Sequence, residues 1–359
     1  MGASTWNYIG DVEMKIGMMT AWNQDAGPAI HAELVGREWV KMDHELRIFS
    51  FLKSDFHGTA IVDQDEEYMF RCFTTCTRER PLLDARPFLE FHPDVFIAQD
   101  LGKLPMDNLA KIFHHLRREA RTITVIHERM LSSKPSFYQF EWDAIVCVDR
   151  RYVDFRKKAF PEGKIYVIPH PYNKWTVGHK IQARKKLDLP LDKKIILNFG
   201  QRVKEFKETL PAISELQSSY PVLVLIVAKK EIEELRRETA LPVEIRKESP
   251  GIERLYEYLH ASDAMVLHRK SREGVVYSST TYQCLGSGCP IVALNSNFFE
   301  PFGEEVLKYD DLDGLKKCLV DIFEERERYE KAKLKAERVV KKNSPKEIAT
   351  KFIKLFESL

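Results

Sequence analysis

Between Ser271 and Val292 the chain reads SREGVVYSSTTYQCLGSGCPIV, a loop carboxylate followed by hydroxyl side chains, a helix start and Gly288-Cys289-Pro290. Glu273, Ser278, Ser279, Thr280 and Gln283 supply donors and acceptors suited to the hydroxyls of a sugar or a ribose. Ala264–His268 (AMVLH) reads as a buried strand, Arg272-Glu273-Gly274 as the loop at its carboxyl end, and Ser279–Leu285 as the first turns of a helix. A helix amino terminus presents unbonded N–H groups and a partial positive charge, on which a diphosphate can sit. The order suits a nucleotide-sugar site. It is equally the order of an ordinary strand-loop-helix crossover with a solvated loop.

Such groups need a scaffold, and 359 residues exceed what one hydrophobic core usually serves, which predicts two domains. From Lys15 the pattern alternates: strand Lys15–Thr20, turn at Gly27-Pro28, helix Pro28–Met42, strand Glu45–Phe51. Short β-rich runs follow at Val95–Ala98, Thr122–Ile126, Ala144–Val148 and Lys164–Ile168. Around Pro169–Gly178 (PHPYNKWTVG) the pattern breaks, marking a junction. Strands are then expected at Lys194–Phe199, Val222–Val227, Val243–Arg246, Ala264–Leu267 and Pro290–Leu294. Leu312–Leu359 reads as helical, interrupted at Asn343-Ser344-Pro345, where Ser344 suits a cap and Pro345 a first helical position. The expected fold is α/β: two Rossmann-like domains with parallel sheets facing a central cleft. Its parts are an extension (1–13), an amino-terminal domain (14–175), a carboxyl-terminal domain (176–340) and a terminal helix (341–359) packing back on the amino-terminal domain. Ligands bind at the carboxyl ends of such strands. A G-x-G-x-x-G after a strand is missing, which lowers the dehydrogenase reading, and a G-x-x-x-x-G-K-[ST] is missing, which removes the phosphate-loop kinase reading.

Composition is globular, 44% apolar and 31% charged, and a formal net charge of +2 argues against a general nucleic-acid binder. The basic clusters His114–Arg121 and Arg150–Lys158 read as solvated helix faces, with weak peripheral contact to anionic lipid head groups as the other reading. Six cysteines are too sparse for a disulfide framework and read as reduced, buried thiols. Cys72-x3-Cys76 lacks a second ligand pair at zinc spacing, so no metal site is expected. No apolar run approaches the length of a membrane span and the amino terminus has no leader pattern. The chain reads as cytoplasmic, at most peripheral to a membrane.

In the amino-terminal half PDVFIAQ (Pro93–Gln99), TITVIHE (Thr122–Glu128), DAIVCVD (Asp143–Asp149) and KIYVIPHPYN (Lys164–Asn173) follow in order. ILNFGQRVKEFKE (Ile196–Glu208), ASDAMVLH (Ala261–His268) and LGSGCPIVA (Leu285–Ala293) follow in the other half. Over nearly all of Met14–Leu359 this layout resembles the retaining glycosyltransferases of the two-domain GT-B fold, the family 4-like group 1 enzymes. Each piece is degenerate alone; their order carries the resemblance. It implies a nucleoside diphosphate sugar held mainly by the carboxyl-terminal domain, an acceptor approaching from the other domain, and no cofactor or metal.

The resemblance assigns roles residue by residue. Arg202 and Lys207 match the Arg and Lys that hold the diphosphate, although Arg202 stands two residues after Gly200 and Lys207 precedes Glu208, where the family has one residue and a Gly. Glu273 matches the first carboxylate of the family's paired-Glu motif, near the donor sugar. Counting back from Gly288 and Pro290 places Gln283 at the second, ribose-binding position; counting forward from Glu273 lands on Thr281. Gln283 lacks the charge-assisted strength of a carboxylate. His127 ends TITVIH where the family places a His facing the sugar, while a lone His at a strand end is commonly structural. His170 marks the hinge. Gly27 could let backbone approach the donor phosphates, or serve a simple turn. In a retaining transfer the leaving phosphate oxygen takes the acceptor proton. An inverting enzyme would need a base, for which Asp25 and Asp100 stand at strand ends without distinguishing context.

The expected activity is hexosyl transfer from a nucleoside diphosphate sugar to a hydroxyl of an unspecified sugar, lipid or small-molecule acceptor. A sugar-nucleotide epimerase or phosphorylase on the same plan, or a non-catalytic binding protein that kept the fold, are the alternatives.

Overall fold

The structure is a computed structural model that describes residues 13–55, 64–200, 202–229 and 239–359. The expected extension lies outside these residues except for residue 13.

The first sheet contains β1 (Lys15–Met19), β2 (Glu45–Phe51), β3 (Met69–Phe73), β4 (Val95–Gln99), β5 (Arg121–Ile126), β6 (Ala144–Cys147) and β7 (Ile165–Val167), in the order β3-β2-β1-β4-β5-β6-β7. The second contains β8 (Lys194–Phe199), β9 (Val222–Val227), β10 (Val243–Arg246), β11 (Ala264–Leu267), β12 (Ile291–Leu294) and β13 (Leu307–Tyr309), in the order β10-β9-β8-β11-β12-β13. Among the described residues every pairing between these strands is parallel. Both faces of each sheet are covered, so central strands such as VFIAQ and VLVLIV are buried along their whole length and read as unbroken apolar runs. Strand order reverses beside β1 in one sheet and beside β8 in the other. At such points adjacent crossovers leave in opposite directions and open a crevice.

Two strands were not expected. β3 pairs with β2 through a register shift at Ser50/Phe51, and β13 has only three residues. An edge strand of three residues carries too little periodicity to read. The carboxyl-terminal helices also break once more than expected, into Leu312–Phe323, Glu327–Lys342 and Pro345–Ser358. Glu325, at φ 50°, ends the first of them. Ser344 does cap the third, its Oγ accepting from the Glu347 N–H at 3.3 Å, with Pro345 in the first turn.

That last helix lies on the helix Gly27–Lys41: Trp39 Nε1 donates to the Ala349 carbonyl at 3.2 Å, and Phe352 and Phe356 meet the Trp39 ring edge-on at 5.8 and 5.5 Å. Burying each such ring stabilises by about 1.5–3 kcal/mol. The chain end thus fixes the helix whose amino terminus enters the cleft.

Of the basic clusters, the helix Met106–Glu119 is as expected: Leu109, Ile112, Phe113 and Leu116 are buried, and His114, Arg117 and Arg118 are exposed. The other is a solvated face only in part, with Arg150, Lys157 and Lys158 exposed and Arg151 and Arg156 turned inward. Asp149 caps the helix Arg150–Arg156, Arg156 is wholly buried, and Arg151 reaches into the second half. There Arg151 donates to the carbonyls of Asn297 (2.8 Å) and Val276 (2.9 Å) and to Glu300 (2.8 Å). All six cysteines are free; Cys76 is partly exposed and the others are buried. Among the described residues no helix is long and apolar enough to cross a membrane.

Candidate functional site

The loops that follow β8 and β11 converge at the reversal point of the second sheet. Gly200 ends β8 at φ 111°, a backbone that side chains resist, and a Cβ there would lie 3.9 Å from Arg269 Nη2 and 4.0 Å from Thr280 Oγ1. Arg269, two residues past β11, is only 9% exposed, yet donates merely to hydroxyls: Nη2 to Thr280 Oγ1 at 2.8 Å and Nη1 to Ser278 Oγ at 3.3 Å. Arg202 stands 4.8 Å over the Phe298 ring, which Arg269 also faces at 5.9 Å. Among the described residues Arg202 Nη1 is buried without a hydrogen-bond partner; Glu205 Oε1 is 3.6 Å away and is shared with Arg272 Nη2 at 3.7 Å. Burial, and then Arg202 beside it, press the Arg269 guanidinium down to about 10; burial and Arg272 lower Arg202. The cations outnumber the carboxylates at their centre. An anion would relieve that imbalance.

Lys207 is not in this group. It is exposed and lines a surface groove with Leu210, Pro211, Ser214 and Thr239. Ser278 and Thr280 are turned toward Arg269, and Ser278 also caps the helix Ser279–Cys284, accepting from Thr281 N and Thr281 Oγ1 at 3.3 and 3.0 Å. Their hydroxyls therefore position the cation and the helix. The two halves approach closely at Ser279: a Cβ on Gly27 would stand 3.3 Å from both Ser279 Cβ and Oγ. Gly27 thus lies at a close contact between the halves.

A cavity of about 170 Å³ separates the halves beside this point. Gln24, Asp25 and Arg37 form one wall; Phe199, Ser249, Pro250 and Gln283 form the other. Thr281 is fully buried, so the structure places Gln283 on the cavity and Thr281 in the helix packing. Glu33, behind Arg37, is raised to about 7 because it is buried, although Arg37 at 3.1 Å and the Asn23 N–H at 2.8 Å oppose the shift.

His127 sits on the opposite side, at the end of β5, in a network with all its protons assignable. Gln99 Nε2 donates to Met18 Sδ at 3.0 Å, which orients the amide, so Gln99 Oε1 accepts from both His127 Nε2 and His31 Nδ1 at 2.9 Å. Neutral His127 then accepts at Nδ1 from the Tyr277 hydroxyl at 2.8 Å. His31 packs 5.1 Å from His170, which donates from Nδ1 to the Pro171 carbonyl at 2.7 Å and stacks on Tyr282 at 4.4 Å. Burial holds His31 down at about 4 and His127 and His170 well below the ordinary range. Asp100, after β4, adopts φ 58° and is pushed up to about 7 by burial and the neighbouring Glu128.

The Glu273 loop is sealed onto the first half. Gly274 has φ 87°, and a Cβ there would fall 2.3 Å from the Arg129 carbonyl, to which Val275 N donates at 2.9 Å. Tyr152 OH donates to the Val275 carbonyl at 3.1 Å. The Glu273 side chain itself is exposed. Arg269, Tyr277, Gln99 and His31 were not singled out from sequence. HRKSR offered several cations, and nothing in its order says which one is buried.

No family model matches the chain. In fold it is similar to a glycosyltransferase from Rickettsia africae, with a TM-score of 0.70 at 14% identity over 96% of this chain and 98% of that one. It is likewise similar to HepE from Anabaena, solved in complex with UDP and glucose (0.68, 12%, 97% and 100%). Sucrose-phosphate synthase from Thermosynechococcus elongatus also resembles it (0.67, 13%, 96% and 99%). The architecture is GT-B.

Proposed function

We propose that the protein transfers a hexose from a nucleoside diphosphate sugar to a hydroxyl acceptor, with retention and with arginines in place of a metal. The observation that carries this is the under-compensated cluster of Arg202, buried Arg269 and Arg272 at the reversal point of the second sheet. In transfer the bond from the sugar's anomeric carbon to the diphosphate oxygen breaks and the diphosphate leaves with the electron pair. Fixed cations stabilise that charge in a site shielded from water. The acceptor oxygen bonds the anomeric carbon on the same face, and its proton passes to the departing phosphate oxygen. Gln283 on the cavity wall holds the ribose. Glu273 meets the sugar hydroxyls once its loop lifts from Arg129, and the same movement frees His127 from Tyr277 to face the sugar. We further place the work in the cytoplasm, in keeping with six free cysteines, with any lipid contact through the exposed side of Met106–Glu119.

The test incubates the protein with uridine, guanosine and adenosine diphosphate sugars and candidate acceptors, reading products by mass spectrometry. A glycosylated acceptor with released nucleoside diphosphate is the expected result. A non-catalytic binding protein is the second reading, favoured by the neutral Gln283 and by the engagement of both His127 ring nitrogens. Donor binding without turnover would select it.

A further inference from the structure

The cavity between the halves has an orientation. Phe199 adjoins Gly200, Gln283 lies one helical turn beyond Thr280, and the remaining wall includes Asp25, Glu33, Arg37, Ser249, Pro250 and Ile252, with Glu33 almost fully buried and paired to Arg37. A nucleotide with its diphosphate on Arg202 and Arg269 and its ribose at Gln283 therefore places its base against that remaining wall. Two features of the wall read base chemistry. The Ser249 hydroxyl donates to Asp25 Oδ2 at 3.1 Å across the two halves, holding a carboxylate at the cavity edge. The Arg37 guanidinium, preset by Glu33 at 3.1 Å and Glu66 at 2.8 Å, remains 41% exposed beside it.

We infer that the donor's base is guanine and that Asp25 is the residue that selects it; the inference rests on the donor reading above. Guanine alone among the common bases presents two adjacent N–H donors, N1–H and the 2-amino group, which a carboxylate accepts as a charge-assisted fork. Its O6 and N7 suit an arginine. Uracil has one N–H flanked by two carbonyls, and adenine pairs its amino group with an acceptor nitrogen, so both set a lone pair against the carboxylate. Burying that mismatch costs affinity.

Calorimetric titration of the full chain with guanosine, inosine, adenosine and uridine diphosphates tests this. The guanosine form binds tightest. The inosine form, which lacks only the 2-amino group, binds about tenfold more weakly, and the other two more weakly still. Asp25→Asn brings the guanosine form down to the inosine level. Should that variant fail to fold, the wild-type comparison of guanosine with inosine decides alone. Uridine or adenosine diphosphate binding as tightly as guanosine, or inosine matching it, overturns the base assignment and leaves the donor reading intact. Binding of none of them overturns both.

Discussion

The reversal points of the two sheets, one beside β1 and β4 and the other beside β8 and β11, are built from the same crossover geometry and filled with opposite chemistry. The second collects Arg202, Arg269 and Arg272 around the carboxylate of Glu205. The first collects His31, His127, Gln99 and His170, kept neutral by burial. One is a charged site with a hydrogen-bonding vacancy at Arg202 Nη1; the other is a neutral network whose amide and ring protons determine one another. Backbone topology opens a crevice in both halves, and side chains alone decide that one suits a phosphate and the other a packed contact with Tyr277 and Tyr282.

Acid should strike the histidine side hardest. His31 has its folded value lowered to about 4 from 6.5, so its contribution is complete above the unfolded value and is lost as pH falls from 6.5 toward 4. The loss reaches about 3 kcal/mol for this group. Glu33, raised to about 7, acts in the opposite sense, costing stability as pH rises from its unfolded value toward 7. Urea melts of wild type and His31→Gln across pH 4–7 separate the two; an acid limb unchanged in the variant would show that the network does not titrate as argued.

On the arginine side, Arg202→Ala should lower kcat/KM about hundredfold, with donor binding weakened as well. Lys207→Ala, at an exposed groove position, should change either by less than about threefold. Steady-state kinetics that ranked the two in reverse would move the diphosphate site. At the seam between the halves, Gly274→Ala should destabilise by about 2 kcal/mol or more, because φ is unfavourable for a side chain and the new Cβ meets a carbonyl. A melting temperature equal to wild type would mean the loop is not held against Arg129. Smallest is Tyr277→Phe, which leaves His127 Nδ1 without its donor and should cost about 1 kcal/mol by chemical denaturation.

Several features of the site were legible early. Glu45–Phe51, Lys194–Phe199, Val222–Val227, Val243–Arg246 and Ala264–Leu267 have the bounds expected of them, since buried parallel strands are written as local apolar runs. The Ser344 cap with Pro345 was equally local. Arg151 and Arg156 were misread because a run of cations looks the same whether it faces water or a neighbouring loop; what turns them inward is the approach of Val276, Asn297 and Glu128. Thr281 and Gln283 competed for one position by counting, and helix packing placed the amide on the cavity.

By itself, then, the sequence determined two parallel sheets, their order along the chain and the loops that carry polar groups at strand ends, because periodicity and turn chemistry act within a few residues. Tertiary structure decided which arginine is buried, that Lys207 stands apart, and that Gly27 and Gly274 mark contacts between halves. Those outcomes depend on groups far apart in the chain, as His127 and Tyr277 are, and their energies arise only when burial removes water from both partners at once.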